Sequence, residues 1–442
     1  MTTRALLLSI GCAIGIALPA GAQLVATPYQ KTGIYAAKQT VGWTIAAAPG
    51  TPLPNGPYSY VVKVNGVKPV KSGTFDLSQG SAKLETSLGA PGMLWVEIRP
   101  PAGTISFGSV HTGGDGVVVL GAAVDPTHIE PAANRPADFD DFWDAKLAQL
   151  ARVPMNAVVT PKESGDSTIN YATVRLDNVG GAHVYAQMAW PRRGGKFPAL
   201  VIYQWASAPY PLQRDWVTSR AKEGWLAINV EPHDVPPDMP QAFYDALPQM
   251  VKEYQRINET DRERNYFLQM YLGDRRTVDF VATRPEWDGR TLVVNGISMG
   301  GQQSLVTAAL DRRVTAVVVN VPAGSDANAA RHDRMAGYPN WNPSDPRVMA
   351  TAPYFDVTNF ASRITVPSMV AMGFIDAVCP SIGIWTTFNQ LAGPKEAVPM
   401  IDSPHNHQAT DAQLRPYTER SGAWLAALRA GEPAPVRRLA TP

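Results

Sequence analysis

The stretch Gly296-Ile297-Ser298-Met299-Gly300-Gly301 constrains this chain more than any other. An apolar β-type run over 291–295, centred on Leu292-Val293-Val294, leads into it, and a helix-forming run over 302–310 leads out. Strand, Gly-x-Ser-x-Gly and helix in that order imply a turn so tight that only small residues fit two places either side of the serine. The serine hydroxyl then stands at the strand tip. The backbone N–H of Met299 opens the helix, where partial positive charge collects. A Gly-rich loop with an incidental serine is the plain alternative. The correct flanks, with an aspartate and then a histidine downstream, count against it.

The residues around this turn alternate between buried strands and helices. Short apolar runs at 197–203, 225–230, 314–321, 366–373 and 397–401 read as strands. Helical patterns fall at 138–147, 216–223, 250–283 and 410–429. Residues 169–176 and 182–190 read as a β pair. This alternation predicts an α/β unit over residues 126–442 built on a doubly wound, mainly parallel sheet. Residues 325–360, polar, aromatic and irregular, are expected to cap the site.

The first third of the chain is different. Residues 24–125 carry short β-branched and aromatic runs such as Tyr58–Val64 and Met93–Ile98, separated by Pro/Gly/Asn clusters. Asn65-Gly66 between two such runs signals a hairpin. The spacing predicts an all-β, immunoglobulin-like sandwich. It holds no catalytic constellation and is expected to pack on the α/β unit. Its loss is expected to affect stability or polymer binding more than the chemical step. Residues 1–22 read as a signal peptide: Arg4, an apolar stretch over 5–18, and Ala20-Gly21-Ala22 before Gln23. Cleavage there would remove Cys12 and leave Cys379 as the one cysteine, so no internal disulfide is expected. A net charge of +1 gives no pull toward nucleic acid or an anionic membrane.

A serine nucleophile needs a base, and the base needs an orienting carboxylate. In a parallel sheet, residues just past the strand C-termini gather on one edge. Ser298, Asp376 and a histidine, His405 or His407, each hold that position on a separate strand. Ser298 is the expected nucleophile, Asp376 the orienter and His405 the base, with His407 as rival. The Met299 N–H is one expected oxyanion donor, and Trp205 or Ala206, after the 197–203 strand, supplies the second. Trp205, Glu231 and His233 lie on the same edge as candidate substrate contacts. Cys379 reads as a bystander thiol. His405-Asn406-His407 lacks partner ligands at metal-binding spacing, so no metal is expected.

At these residues the chain resembles the carbohydrate esterase family of acetyl xylan esterases and cephalosporin C deacetylases, in the α/β-hydrolase superfamily. The resemblance covers roughly 138–429. It rests on Asp138-Phe139-Asp140-Asp141-Phe142-Trp143, on 284–288 with 296–301, on Gly373-Phe374-Ile375-Asp376-Ala377-Val378-Cys379-Pro380, and on the spacing from Lys395-Glu396 to His405. It places the triad acid at Asp376 and favours His405, although Asn406-His407-Gln408 has the neighbours usual for the family's histidine. Met299 stands where the family has glutamine, Glu231-Pro232-His233 where it has Arg-Gly-Gln, and Gln204-Trp205 where it has His-Gly. The resemblance implies a serine esterase that removes acetyl groups from carbohydrate or small esters through an acyl-enzyme, without cofactor. With the leader, it implies a periplasmic or extracellular enzyme with no membrane anchor. The competing readings are a peptidase or other ester hydrolase on this fold, and a catalytically silent glycan-binding protein.

Overall fold

The computed structural model describes residues 24–50, 56–101 and 116–439. The expected leader, 1–22, lies outside the described residues.

Among the described residues, eight strands come first: β1 (Leu24–Pro28), β2 (Ile34–Tyr35), β3 (Val41–Ala47), β4 (Tyr58–Val64), β5 (Lys68–Phe75), β6 (Ser81–Thr86), β7 (Gly92–Arg99) and β8 (Val118–Val124). They form a three-stranded sheet, β1-β3-β6, and a five-stranded sheet, β2-β8-β7-β4-β5. Trp43 and Ile45 from the first meet Val62, Leu94, Val96 and Ile98 from the second in one apolar core. Asn65 and Gly66 turn the β4–β5 hairpin with φ of 52° and 79°, the left-handed backbone such a turn needs. Strand β7 is buried on both faces. Leu94, Val96 and Ile98 face the core of this unit, whereas Met93 and Trp95 pack with residues of the α/β unit. Its apolar run over Met93–Val96 thus has a cause: both faces of that stretch are buried.

The remaining strands are β9 (Val158–Lys162), β10 (Ile169–Asp177), β11 (His183–Pro191), β12 (Phe197–Tyr203), β13 (Leu226–Glu231), β14 (Trp287–Ile297), β15 (Ala316–Asn320), β16 (Ser368–Gly373) and β17 (Lys395–Met400). They make one nine-stranded sheet in the order β17-β16-β15-β14-β12-β13-β11-β10-β9. Strands β12 to β17 are mutually parallel, while β9, β10 and β11 add on antiparallel. Side chains alternate between two cores. Ala199, Val201 and Val294 meet the helices Tyr266–Thr283 and Met299–Leu310 on one face. Leu200, Val293 and Val318 meet Asp215–Glu223 and Asp411–Arg429 on the other. Both faces are therefore dry, which suits a parallel sheet.

The long helical reading over 250–283 needs correction. The chain forms Gln249–Lys252, a short turn at Tyr254–Arg256, and only then the helix Tyr266–Thr283. Asn258 is left-handed at φ 53°, which interrupts helix, and the Asn265 side chain accepts from the Phe267 N–H to start a new one. Strand β9 was not expected. It is short and largely exposed at the sheet edge, so it lacks an apolar pattern.

Candidate active site

The chain leaves β12 for β13 on one side and later returns to β14 on the other, so the sheet order reverses between β12 and β14. Crevices in open α/β sheets form at such a point, beyond the strand C-termini. Tyr203 pairs with Gly296 at the end of the β12–β14 ladder. The segment 204–206 and Ser298 emerge there side by side.

Ser298 sits at φ 57°, ψ −122°, a strained conformation for a side-chain-bearing residue. Two glycines make it possible. A Cβ on Gly296 would lie 2.1 Å from the carbonyl carbon of Gly300, and one on Gly300 would lie 2.2 Å from the Tyr203 carbonyl oxygen. The helix Met299–Leu310 begins at once, and its first N–H has no acceptor within the helix. The Met299 side chain is buried and tethered: the Tyr338 hydroxyl donates to Tyr254 at 2.8 Å, and Tyr254 donates to the Met299 sulfur at 3.2 Å.

His405 bridges the other two groups. Its Nε2 lies 3.0 Å from Ser298 Oγ, and its Nδ1 lies 2.7 Å from Asp376 Oδ2. The second carboxylate oxygen, Oδ1, accepts from the N–H groups of Val378 and Cys379 at 2.8 and 2.7 Å. All three residues are buried. His407 does not take the bridging place. Its ring packs edge-on against His405, 5.3 Å between centroids, and partial burial lowers its pKa, so it is neutral near pH 7.

A cleft of about 430 Å³ opens above this relay. Trp205, Ala206, Tyr338, Val378, Asn406 and His407 line it around Ser298 and His405. Trp205 is 37% exposed, stacked on Tyr210 at 5.8 Å and edge-on to Trp216 at 5.2 Å. Trp205 and Ala206 thus line the cleft beside Ser298, and Trp205 forms its exposed rim.

Glu231 and His233 need correction as substrate contacts. Both are buried and neither lines the cleft. His233 packs on Tyr254 at 4.4 Å and its Nδ1 meets the Tyr266 hydroxyl at 2.7 Å; burial drives its pKa down to about 3. Glu231 is enclosed, and neither carboxylate oxygen forms a hydrogen bond of good geometry. Burial raises its pKa well above the usual range, against a weaker pull from the His233 backbone N–H. These two residues lie under the site rather than in it. Conversely, Tyr338, Tyr254 and Val378 were missed. Tyr338 falls in the irregular 325–360 segment, and no local pattern marks which of its aromatics reaches the cleft.

Cys379 is 4.0 Å from Ser298 Oγ. Burial and the nearby Asp376 push its thiol pKa well up, so it stays protonated and is a poor nucleophile. Among the described residues no cluster of three or more His, Cys, Asp or Glu side chains is arranged to hold a metal, and no helix is long and apolar enough to cross a membrane.

The mixed sheet, with its Gly-x-Ser-x-Gly turn at the switch point, has the architecture of the α/β hydrolases. The comparisons with known proteins narrow this. Residues 127–419 match the model of the acetyl xylan esterase family. An acetyl esterase from Xylanibacter ruminicola is 31% identical over 309 residues, 68% of this chain and 69% of that protein. The solved acetyl xylan esterase from Paenibacillus sp. R4 is 25% identical with a TM-score of 0.56, covering 66% of this chain and 98% of its own. That from Thermoanaerobacterium sp. JW/SL YS485 shares the fold, with a TM-score of 0.57 at 21% identity, over 69% of this chain and 97% of its own. The chain belongs to the acetyl xylan esterase family and is a carboxylic ester hydrolase.

Proposed function

We propose that the protein is an exported serine esterase that removes acetyl groups from acetylated carbohydrate. The observation that carries this reading is the unbroken relay Asp376–His405–Ser298 at the floor of the cleft. Ser298 Oγ attacks the acetyl carbonyl while His405 Nε2 takes its proton. Asp376, fixed by two backbone N–H groups, holds the imidazole with Nδ1–H toward itself and the Nε2 lone pair toward the serine. The N–H groups of Met299 and of Ala206 or Trp205 stabilise the oxyanion. Collapse expels the sugar hydroxyl, protonated by His405. Water, deprotonated by the same nitrogen, then releases acetate from the acyl-serine.

Trp205 is the sugar-facing rim in this reading, since an exposed indole offers a flat apolar face to a pyranose ring. The N-terminal β unit is read as an immunoglobulin-like sandwich. Residues 1–22 are read as a leader, cleaved before Gln23, that delivers the enzyme to the periplasm or medium. Purified protein assayed on acetylated xylan, acetylated monosaccharides, longer acyl esters and peptides is expected to show its highest kcat/KM on acetylated carbohydrate. Preference for long acyl chains or peptides would contradict the substrate assignment. A native chain beginning at Met1 would contradict the leader.

A further inference from the structure

We propose that the N-terminal β unit positions the triad carboxylate, with the outer face of β7 and β8 as the seat for the segment Phe374–Asp376. Strand β16 ends at Gly373, and two buried residues, Phe374 and Ile375, separate it from Asp376. From the α/β side this segment is tied by the Phe374 N–H to the Met400 carbonyl at 3.0 Å and by the Ile375 N–H to the Ser403 carbonyl at 3.3 Å. Its other side rests on the β unit.

Gly121 on β8 makes the closest approach. A Cβ there would lie 2.5 Å from the Phe374 carbonyl oxygen and 2.7 Å from the Phe374 Cβ. Gly121 is not in the left-handed region, so space rather than backbone conformation demands the glycine. Ile375 packs with Trp95, Val117 and Val119 in a small apolar cluster of their own. Met335, at the rim of that cluster, donates its N–H to the Asn65 carbonyl at 2.9 Å, and Gly66 lies against its side chain. Only about 20 Å³ of space remains between Asn65, Met93 and Trp95 on one side and Phe374, Asp376 and Ser381 on the other.

The family match begins at residue 127, so this seat lies outside the matched span. The consequence is specific. Asp376 has little freedom of its own, because its carboxylate is engaged at both oxygens. A shift of Phe374–Ile375 therefore moves the His405 partner directly. Trp95 and Gly121 act as positioning residues for Asp376 through Phe374 and Ile375, the two residues that precede it.

Trp95 and Val96 are neighbours on β7 and face opposite ways, which supplies an internal control. Full-length Trp95→Ala, Gly121→Ala, Trp95→Phe and Val96→Ala are compared on a small chromogenic acetyl ester. Active sites are counted with an organophosphonate, so a smaller folded fraction is not mistaken for slower chemistry. Trp95→Ala and Gly121→Ala are expected to lower kcat per titrated site about tenfold with KM little changed, since sub-ångström to 1 Å misplacement costs 10- to 100-fold. Trp95→Phe is expected to recover most of the rate. Val96→Ala is expected to lower the melting temperature and leave kcat per site unchanged. Should Trp95→Ala not fold, Gly121→Ala, which adds one methyl group, carries the comparison. Wild-type kcat per site in whichever of the two folds would overturn the proposal. So would an equal fall in kcat for Val96→Ala.

Discussion

The two ends of the Ser298–His405–Asp376 relay are held in different ways. The Ser298 turn is made within its own motif, where Gly296 meets Gly300 and one helix starts, and its backbone is tied to Asn320 and Ala323 of the neighbouring strand and loop. Asp376 is held from a distance. Its segment is pinned between β17, the loop at Ser403 and a strand from the first third of the chain. His405 lies between these regimes, in an irregular turn that precedes the short helix Asn406–Gln408. A serine turn specified by its own glycines travels with its motif, whereas a carboxylate segment seated on distant packing depends on what lies behind it.

The largest expected effect falls on the histidine. His405→Ala should lower kcat by at least about 10³-fold, because oxyanion and binding contributions alone remain. His407→Ala should stay within about tenfold, as its ring only lines the cleft. Steady-state kinetics on an acetyl ester decide this, and the reverse ranking would move the base role to His407.

Next comes the serine turn. Gly300→Ala drives a methyl group into the Tyr203 carbonyl and should cost about 1–3 kcal/mol or more in denaturant unfolding, with activity lost as well. Gly121→Ala meets the Phe374 carbonyl in the same way and should cost a comparable amount in unfolding, but its folded sites should keep turning over, about tenfold slower. If the two glycine variants lose rate per folded site alike, the contrast between the two ends of the relay collapses.

This contrast also explains what the sequence could reveal. The turn at Ser298 was legible because its requirements are met within a few residues. Asp376 was legible through its place after a strand and through family likeness. The choice of His405 over His407 rested on family spacing alone, since local sequence does not show where tertiary packing aims two histidines two residues apart. Glu231 and His233 sit at the correct strand end, yet both are buried, with Glu231 closing the enclosed strand β13 and the His233 ring packed on Tyr254 and Tyr266. The seat formed by Trp95 and Gly121 had no local signal beyond an apolar run too continuous for a strand with one wet face.

A smaller effect sharpens the reading of the cleft. Trp205→Ala should raise KM for acetylated sugars about 3- to 10-fold, the range expected for one aromatic contact, with little change on a minimal acetyl ester. An equal change on both substrates would make Trp205 a structural residue of the 204–206 loop instead.

The smallest effect concerns the acid beneath the site. Buried Glu231 keeps its proton in the folded chain at pH values where the unfolded chain releases it. Stability therefore falls as pH rises from the ordinary glutamate range toward the raised value. Glu231→Gln carries no such proton, so its melting temperature should gain on wild type by about 2 °C or more between pH 5 and pH 8. A gap that stays constant or narrows would contradict the protonated state.

The most direct measurement is rapid-quench mass spectrometry during turnover of an acetyl ester. The peptide containing Ser298 is expected to carry the mass of one acetyl group in wild type, and Ser298→Ala is expected to show neither the adduct nor turnover. Acetyl found on Cys379, or turnover that persists in folded Ser298→Ala, would contradict catalysis by Ser298.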